Sequence, residues 1–313
     1  MIYDVINQVI LHFKTTNYKV SEMPLLFEHL EEMKDLYKEK KILLLADKYY
    51  GSAELFKYCE KYGYYYTVKA KPNFFKHERI EHKEEIDFQI GRKIDRNWIK
   101  RMKYEEVKEY TKEHSILHLR IVKSRYQYTD KKGNEIQKEA DYFTNLSRTE
   151  FDDKEITVMY KKRWQIETAY DILKNQMDIE QFNTYNPIGI KNEIMGKVIF
   201  FNIQKMIYQE AAKRIEKEAS KSNYKYQPNN KNIINLVRSE SFIKAFKSVR
   251  KLKHQIVAIV RSAVKEKIPI RSDRHYKRWR KHYKTIPQIR HRIDGRRNPP
   301  VAITKAGILS IDH

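Results

Sequence analysis

The chain has 313 residues and a formal net charge of +23, because 64 lysines and arginines outnumber 41 aspartates and glutamates. So large an excess of positive charge favours a polyanionic partner. Hydrophobic residues make up 41% of the chain, which is enough for a buried core and excludes a disordered basic tail. The single cysteine, Cys59, excludes an intramolecular disulfide and a zinc knuckle, and its helical surroundings favour a packing role. No apolar run reaches the length of a membrane span, so we expect a soluble, cytoplasmic protein.

Residues 1–71 predict strands that alternate with helices. In chain order, strands are expected at 2–6 and 9–15, a helix at 23–39, a strand at 42–46, a helix at 51–62 and a strand at 64–70. The first two are strands joined at Asn7-Gln8. The strand at 42–46 is continuously apolar, which is typical of a strand covered on both faces. Gly63 ends the helix that follows, so the last three elements predict a parallel βαβ unit.

Asp47 follows the buried strand at 42–46 directly. In open α/β sheets, ligands gather outside the carboxyl ends of the strands, so Asp47 is a candidate catalytic carboxylate. The alternative is an aspartate that caps a helix or a turn, which is common at strand ends. The sequence by itself leaves both interpretations open.

Residues 72–149 differ in pattern from the first part of the chain. Charged helical pieces come first, and short strands are then predicted at 115–122, 126–129 and 142–146, with a turn at 132–134. We interpret this segment as a β-rich insertion. Further on, a long helix is predicted from Gly189 to Ala219, and a polar loop from Ser220 to Lys231.

Between the insertion and the long helix, one helix is predicted to carry a stripe of four polar residues: Tyr160, Arg163, Glu167 and Lys174. At 100° per residue, their side chains fall within about 60° of one another. An apolar arc lies beside the stripe and consists of Met159, Ile166, Ala169, Tyr170 and Leu173. The stripe would therefore lie at the edge of a core contact, where a carboxylate could hold a hard cation and its neighbours could bind phosphate. The alternative is an ordinary surface pair of Arg163 and Glu167, worth about 0.2 to 0.5 kcal/mol.

The C-terminal part, residues 220–313, is strongly basic. Between Arg271 and Arg297 there are 11 lysines or arginines and two aspartates. Aromatic residues are interleaved with these cations at Tyr276, Trp279 and Tyr283. Rings that stack on bases and cations that meet phosphates suit a DNA contact surface. The alternative is a solvated surface whose aromatic side chains pack inward.

The stripe resembles the signature of a known family. Its spacing, Y-x2-R-x3-E-x6-K, is that of DDE insertion-sequence transposases of the insertion-sequence-four group, and the resemblance continues through residues 163–174. The segment from Asp47 to Ser52 is similar to the family's D-R-G-Y-x-S segment, with Lys48 in place of the usual arginine and Tyr49 in place of the usual glycine. Residues 141–146 are similar to the strand that precedes the glutamate helix of the family.

The resemblance implies an α/β fold. Its centre would be a ribonuclease-H-like mixed sheet with helices, interrupted by a β-rich insertion and followed by a helical basic C-terminal region. Residues 1–71 and 150–219 would form the catalytic core, residues 72–149 the insertion, and residues 220–313 the DNA-contacting region.

The resemblance also implies the site residues. Asp47 and Glu167 would be catalytic and would bind metal, with two Mg²⁺ or Mn²⁺ ions about 3.5 to 4 Å apart in an intact site of this kind. The residues expected to bind DNA phosphates are Tyr160, Arg163, Lys174 and Lys48. Trp164 is expected to be a packing residue, with stacking on a displaced base as the alternative.

The implied activity is DNA transposition. Water would first free a 3′-OH at the end of the element, and that hydroxyl would then attack target DNA. The implied substrate is double-stranded DNA, both at the terminal inverted repeats and at the target. A homodimer is expected on the DNA, and no membrane partner is expected. Such a protein would associate with the bacterial nucleoid.

One departure from the family concerns its first catalytic aspartate. In relatives that residue lies on a central strand upstream of the hairpin, whereas here the hairpin begins at Met1. Asp4 resembles the start of the second strand and is not expected to replace that residue; the alternative is that Asp4 does replace it, in a shifted strand register. We therefore expect an N-terminally truncated chain with two carboxylates instead of three, which would bind metal weakly and leave strand edges exposed.

Three functional hypotheses follow. The first is a DDE transposase. The second is a catalytically inactive, truncated remnant that only binds DNA. The third is a basic nucleic-acid-binding regulator unrelated to transposition, for which the polar stripe would be a coincidence.

Overall fold

A computed structural model describes most of the chain up to residue 270. The described residues are 1–16, 20–38, 40–129, 134–218 and 224–270, together with four short strands between 288 and 302. The chain forms two compact units. We call Glu22–Trp164 the sheet unit, and Met1–Ser21 with Gln165–His313 the helical unit. Each unit is described by itself.

The sheet unit is built on five strands. They are β3 (Leu43–Ala46), β4 (Tyr65–Lys69), β5 (Asp87–Lys93), β6 (Ile116–Thr129) and β7 (Glu135–Thr144). Their order in the sheet is β3-β4-β7-β6-β5. Only the pairing of β3 with β4 is parallel among these five strands, and β3 forms one edge of the sheet. The helices are α1 (Glu22–Lys34), α2 (Ala53–Tyr62), α3 (Lys76–Glu81), α4 (Arg96–Arg101), α5 (Glu105–Glu113) and α6 (Asp153–Lys161).

The predicted βαβ unit is confirmed in β3, α2 and β4. The Ser52 side chain caps α2 by accepting a hydrogen bond from the backbone of Leu55. Gly63 ends the helix in the left-handed region, at φ 68°, where a residue without a side chain is favoured. Cys59 lies fully buried in α2, and burial raises the pKa of its thiol, so its packing role is confirmed.

The prediction of several short strands after residue 115 was wrong. The first two of them form a single strand, β6, which pairs with β7 along ten residues. The polar run that suggested a break is accommodated because the buried Lys123 amine donates to the backbone carbonyls of His82 and Lys83. Arg125 pairs across the hairpin with Glu139 at 2.8 Å. Since β7 also pairs with β4, these strands extend the sheet that contains β3. The turn predicted at Lys132-Gly133 lies outside the described residues.

The helical unit begins with the predicted hairpin. Strands β1 (Ile2–Asp4) and β2 (Val9–His12) form a two-stranded sheet. The other elements are α7 (Trp164–Asn175, whose first residue closes the sheet unit), α8 (Pro187–Glu218), β8 (Tyr226–Gln227), α9 (Asn230–Val237), α10 (Glu240–Ala245), α11 (Val249–Lys265) and β9 (Ile268–Pro269). Four further short strands pair as β10 (Gln288–Ile289) with β13 (Val301–Ala302) and as β11 (Arg292–Ile293) with β12 (Arg296–Arg297).

The core of the helical unit joins the hairpin to α7, α8 and α9. Its buried side chains include Ile10, Leu173, Phe201 and Ile234. Asn202 of α8 holds the hairpin by bonding both backbone groups of Ile10, at 2.8 and 2.9 Å. The side-chain amide therefore occupies the position that a neighbouring strand would take.

One of two predictions about the second half of the chain agrees with the structure in full, and the other agrees in part. The long helix predicted from Gly189 is confirmed as α8. The polar loop predicted from Ser220 to Lys231 was wrong in part, because β8 lies within it and pairs with β9, and α9 begins at Asn230. None of the helices in the described part of the chain combines the length and the apolar character that crossing a bilayer requires.

Candidate functional site

Asp47 lies at the carboxyl end of β3, at the edge of the five-stranded sheet. Its Oδ1 atom accepts a hydrogen bond from the backbone N–H of Lys48 at 2.6 Å and so caps the 3₁₀ turn formed by Lys48–Tyr50. The second oxygen, Oδ2, forms no hydrogen bond with any described residue. Both interpretations of Asp47 therefore apply: one oxygen caps a turn, and the partly exposed carboxylate keeps another oxygen for a ligand.

Cations surround the carboxyl ends of the two parallel strands. Lys48 is exposed beside Asp47. Lys71 follows the end of β4, where its amine donates to the carbonyl of Gly51 at 3.0 Å and lies 6.0 Å from the ring centroid of Tyr49. Sequence reasoning missed Lys71. Its position two residues beyond β4, in a parallel βαβ unit, was the signal that could have identified it.

Tyr160, near the end of α6, belongs to the same unit. Its ring is buried against Tyr142, with centroids 4.5 Å apart. Burial raises the pKa of Tyr160 to about 12; the positive charge of Arg163 opposes this shift, and the negative charge of Asp47 adds to it. The Tyr160 hydroxyl makes no hydrogen bond of good geometry with a described residue, although the Arg163 guanidinium lies 5.6 Å from its ring centroid. Asp47, Tyr160 and Arg163 thus interact electrostatically within the sheet unit.

The prediction of one continuous helix through Tyr160 and Lys174 was wrong. Helix α6 ends at Lys161 and α7 begins at Trp164. The backbone N–H groups of Lys162 and Arg163 bond to the carbonyls three residues earlier, which tightens the turn between the two helices. Because no glycine or proline marks this interruption, the hydrophobic period did not indicate it. A single helical wheel therefore does not describe the four polar residues.

Glu167 and Lys174 lie on α7, in the helical unit. Glu167 occupies the first turn, where the helix dipole favours a negative charge, and it is partly exposed. Lys174 follows seven residues later, about two turns along the same face. Its amine forms an ion pair with Glu180 at 2.7 Å, and both side chains are about half exposed. An exposed pair of this kind contributes less than about 1 kcal/mol, so a phosphate could displace Glu180.

The prediction that Trp164 is a packing residue was wrong. Its side chain is 64% exposed, whereas the packing of α7 is provided by Ala169, Ile172 and Leu173. The prediction was wrong because the end of α6 interrupts the helical period on which the position of Trp164 was calculated. An exposed indole at this place leaves the alternative, stacking on a base, available.

The carboxylate of Asp4 is engaged within its own hairpin. Asp4 stabilises the turn of the β1–β2 hairpin, where Oδ1 accepts from the backbone of Ile6 and Asn7 at 2.8 and 2.9 Å, and Oδ2 accepts from the Asn7 side chain. Within the described ranges, no three histidine, cysteine, aspartate or glutamate side chains gather as a metal site would require.

The DNA surface predicted between Arg271 and Arg297 lies almost entirely outside the described residues. Its three aromatic residues, Tyr276, Trp279 and Tyr283, are among those not described. Only short strands are assigned there, so that surface stays a prediction.

Comparison with known families adds an independent finding. The model of the transposase DDE domain family matches residues 1–203, nearly two-thirds of the chain. The match includes both Asp47 and Glu167. No curated protein matches the chain. The five-stranded mixed sheet with surrounding helices is consistent with the ribonuclease-H-like fold of such domains, so the predicted fold class is confirmed.

Proposed function

Because the chain belongs to the family of transposase DDE domains, we propose that it cleaves DNA strands in a metal-dependent reaction and joins the freed ends to target DNA. The proposed substrates are the terminal repeats of an insertion sequence of the insertion-sequence-four group. The observation that carries this proposal is the family match across residues 1–203, which spans both candidate carboxylates. A dimer is expected on the DNA, since transposition brings two element ends together.

Asp47 and Glu167 are the proposed catalytic carboxylates. Carboxylate oxygens are the ligands that Mg²⁺ and Mn²⁺ prefer, and Asp47 keeps one oxygen that no described residue engages. Divalent ions held by such carboxylates supply charge stabilisation to the attacking and the leaving oxygens of a phosphodiester. The donor type therefore fits, whereas a complete group of three ligands is not gathered among the described residues.

The cations near the two carboxylates are proposed to bind phosphate. Lys48 and Arg163 lie in the sheet unit with Asp47, and Lys174 lies on α7 with Glu167. Each would offset negative charge that accumulates at the scissile phosphate, and Arg163 could present two parallel N–H groups. The Tyr160 hydroxyl, whose pKa of about 12 keeps it protonated at neutral pH, would donate a hydrogen bond to a phosphate oxygen.

A nicking assay tests the proposal. The probe is a supercoiled plasmid that carries the DNA flanking the coding sequence, incubated with the 313-residue chain and Mg²⁺ or Mn²⁺. We expect metal-dependent nicks with 3′-OH ends, and Glu167→Gln should lower their rate by at least about a hundredfold while binding persists. Asp171→Asn is the matched control, because Asp171 lies one turn further along α7, is exposed and bonds to Asn175.

Two outcomes would contradict the proposal. Plasmid binding without any metal-dependent nick would favour the inactive DNA-binding remnant. Equal nicking by the wild type and Glu167→Gln would remove Glu167 from the reaction.

A further inference from the structure

One face of helix α11 packs into the core of the helical unit. Ile259, Val260 and Ala263 are buried there, and Leu252 and Ile256 pack against the same cluster. The cluster also contains side chains of α8, α9 and α10, among them Ile207, Ile233 and Phe242. The apolar side of α11 is therefore used inside the protein and is not available to a ligand.

The opposite face of α11 is cationic and exposed. Its charged or titratable side chains are Arg250, Lys251, Lys253, His254, Arg261 and Lys265. No aspartate or glutamate occurs anywhere between Val249 and Lys265. Within the part of the chain that the structure describes, none of these six side chains has an ion-pair partner. The helix itself therefore contributes no carboxylate to this face, and Glu266, which follows it directly, accepts hydrogen bonds from Ser262 and Asn232.

Other charged helices of the protein show the ordinary arrangement. Lys112 pairs with Glu109 on α5, Arg214 pairs with Glu210 on α8, and Lys244 pairs with Glu240 on α10. Intrahelical pairs of this kind are typical of a solvated surface. Helix α11 has no such pair along its 17 residues.

The spacing of the cations suits the backbone of a nucleic acid duplex. Arg250, His254, Arg261 and Lys265 fall within about 60° of one another on the helix and extend over about 22 Å along its axis. Val257 and the exposed Ala258 lie among them and add little bulk. Lys251 and Lys253 lie on the two sides of this stripe. The major groove of B-DNA is about 12 Å wide and admits a helix, so cations on both sides of the helix could meet the phosphates that border the groove.

From this arrangement, and resting on the proposed function, we infer that the cationic face of α11 binds the backbone phosphates of double-stranded DNA. Contact with phosphates positions a duplex and carries no sequence information by itself. A membrane surface does not fit, because binding there requires an exposed apolar face opposite the charges, and on α11 that face is buried. Helix α11 lies within residues 220–313, the region that the family resemblance implies contacts DNA, but it precedes the aromatic and basic segment that begins at Arg271.

The test is the salt dependence of binding to a 30-base-pair random-sequence duplex, measured for the full chain. The variant Arg250→Gln/Arg261→Gln removes two cations from the face. Each lost phosphate contact should lower the slope of log affinity against log salt by about 0.9, so a fall of about 2 is expected, with about tenfold weaker binding at moderate salt. The matched control, Arg214→Gln/Lys244→Gln, removes the same net charge from residues that are already paired with glutamates.

An unchanged slope in Arg250→Gln/Arg261→Gln, or an equal fall in the control, would overturn the inference. Thermal melting of both variants checks whether a change in slope comes from a loss of folding. No such loss is expected, since all four side chains lie on the surface. The inference and the proposed function fail separately. If the wild type made no metal-dependent nicks but the slope effect were present, the DNA surface would stand without the proposed function. Normal nicking with no slope effect would remove the DNA surface alone.

Discussion

The sheet unit and the helical unit present their candidate site residues in different ways. In the sheet unit, Asp47 caps a turn at a strand end. Tyr160 is buried, and the negative charge of Asp47 contributes to the raised pKa of its hydroxyl. In the helical unit, Glu167 and Lys174 lie on a helix whose opposite face fills the core, as do the cations of α11. Substitutions in the first group affect neighbouring contacts, whereas those in the second group change charge with little effect on packing.

The largest effect on stability is expected from a substitution in the hydrophobic core against which α7 packs. Phe201 is fully buried among side chains of the hairpin, α7 and α8. Phe201→Ala should lower the free energy of unfolding by about 3 to 5 kcal/mol. Native-state hydrogen exchange should rise most in α7, α8 and the hairpin, and less in β3 and β4.

Phe143→Ala is the matched variant in the sheet unit, since Phe143 of β7 is also fully buried. In Phe143→Ala, hydrogen exchange should instead rise most in β4 and β6 of the sheet unit and less in α7 and α8. Equal increases across both units in either variant would break the distinction between them.

A smaller effect is expected at Tyr160. Tyr160→Phe keeps the ring that packs on Tyr142 and removes a buried hydroxyl that has no good partner among the described residues. The free energy of unfolding should therefore change by less than about 0.5 kcal/mol. If the hydroxyl donates to a scissile phosphate, nicking should slow by about tenfold.

Tyr65→Phe provides the control, because Tyr65 packs against the same cluster without a proposed part in the reaction. Nicking by Tyr160→Phe at the wild-type rate would show that Tyr160 serves packing alone.

The smallest effect concerns a buried cation in the helical unit. Lys205 of α8 is buried, its amine lies 3.3 Å from the side-chain oxygen of Gln8, and burial lowers its pKa from the ordinary 10.5. Lys205→Met should stabilise the protein by about 1 kcal/mol at neutral pH, because it removes a desolvated charge.

The pH dependence of this difference has a definite sign. Below the lowered pKa of folded Lys205, both the folded and the unfolded chain hold the proton, so the cost of burying the charge is present in full. As pH rises towards 10.5, the folded chain loses the proton first and the difference between variant and wild type vanishes. Denaturation in urea at a series of pH values measures it, and a difference that grows with pH would contradict the assignment.

The sequence predicted local features well where a single physical rule decides them. The βαβ unit followed from a continuous apolar strand and from Gly63, and the hairpin from two short strands around Asn7-Gln8. The long helix α8 followed from its apolar period. The family signature predicted Tyr160 and Glu167 as site residues without any need for the correct helix boundaries, and that assignment stays a prediction.

Other features depend on contacts that a single sequence does not reveal. The continuity of β6 depends on a buried Lys123 whose partners are carbonyls some forty residues earlier in the chain. The interruption between α6 and α7 has no glycine or proline to mark it. The prediction of a DNA-contacting region at residues 220–313 included α11 but did not identify its cationic face, although apolar residues recur from Leu252 to Val264 at helical spacing with cations between them.

The central claim is that Asp47 and Glu167 act together in one metal-dependent reaction. It is tested most directly by comparing nicking by Asp47→Asn, Glu167→Gln and the double variant with that of the wild type. If the two carboxylates act as a unit, each single variant should lose at least about a hundredfold and the double variant should be no slower than the worse of the two. Losses that multiply in the double variant, or a single variant that nicks at the wild-type rate, would contradict the claim.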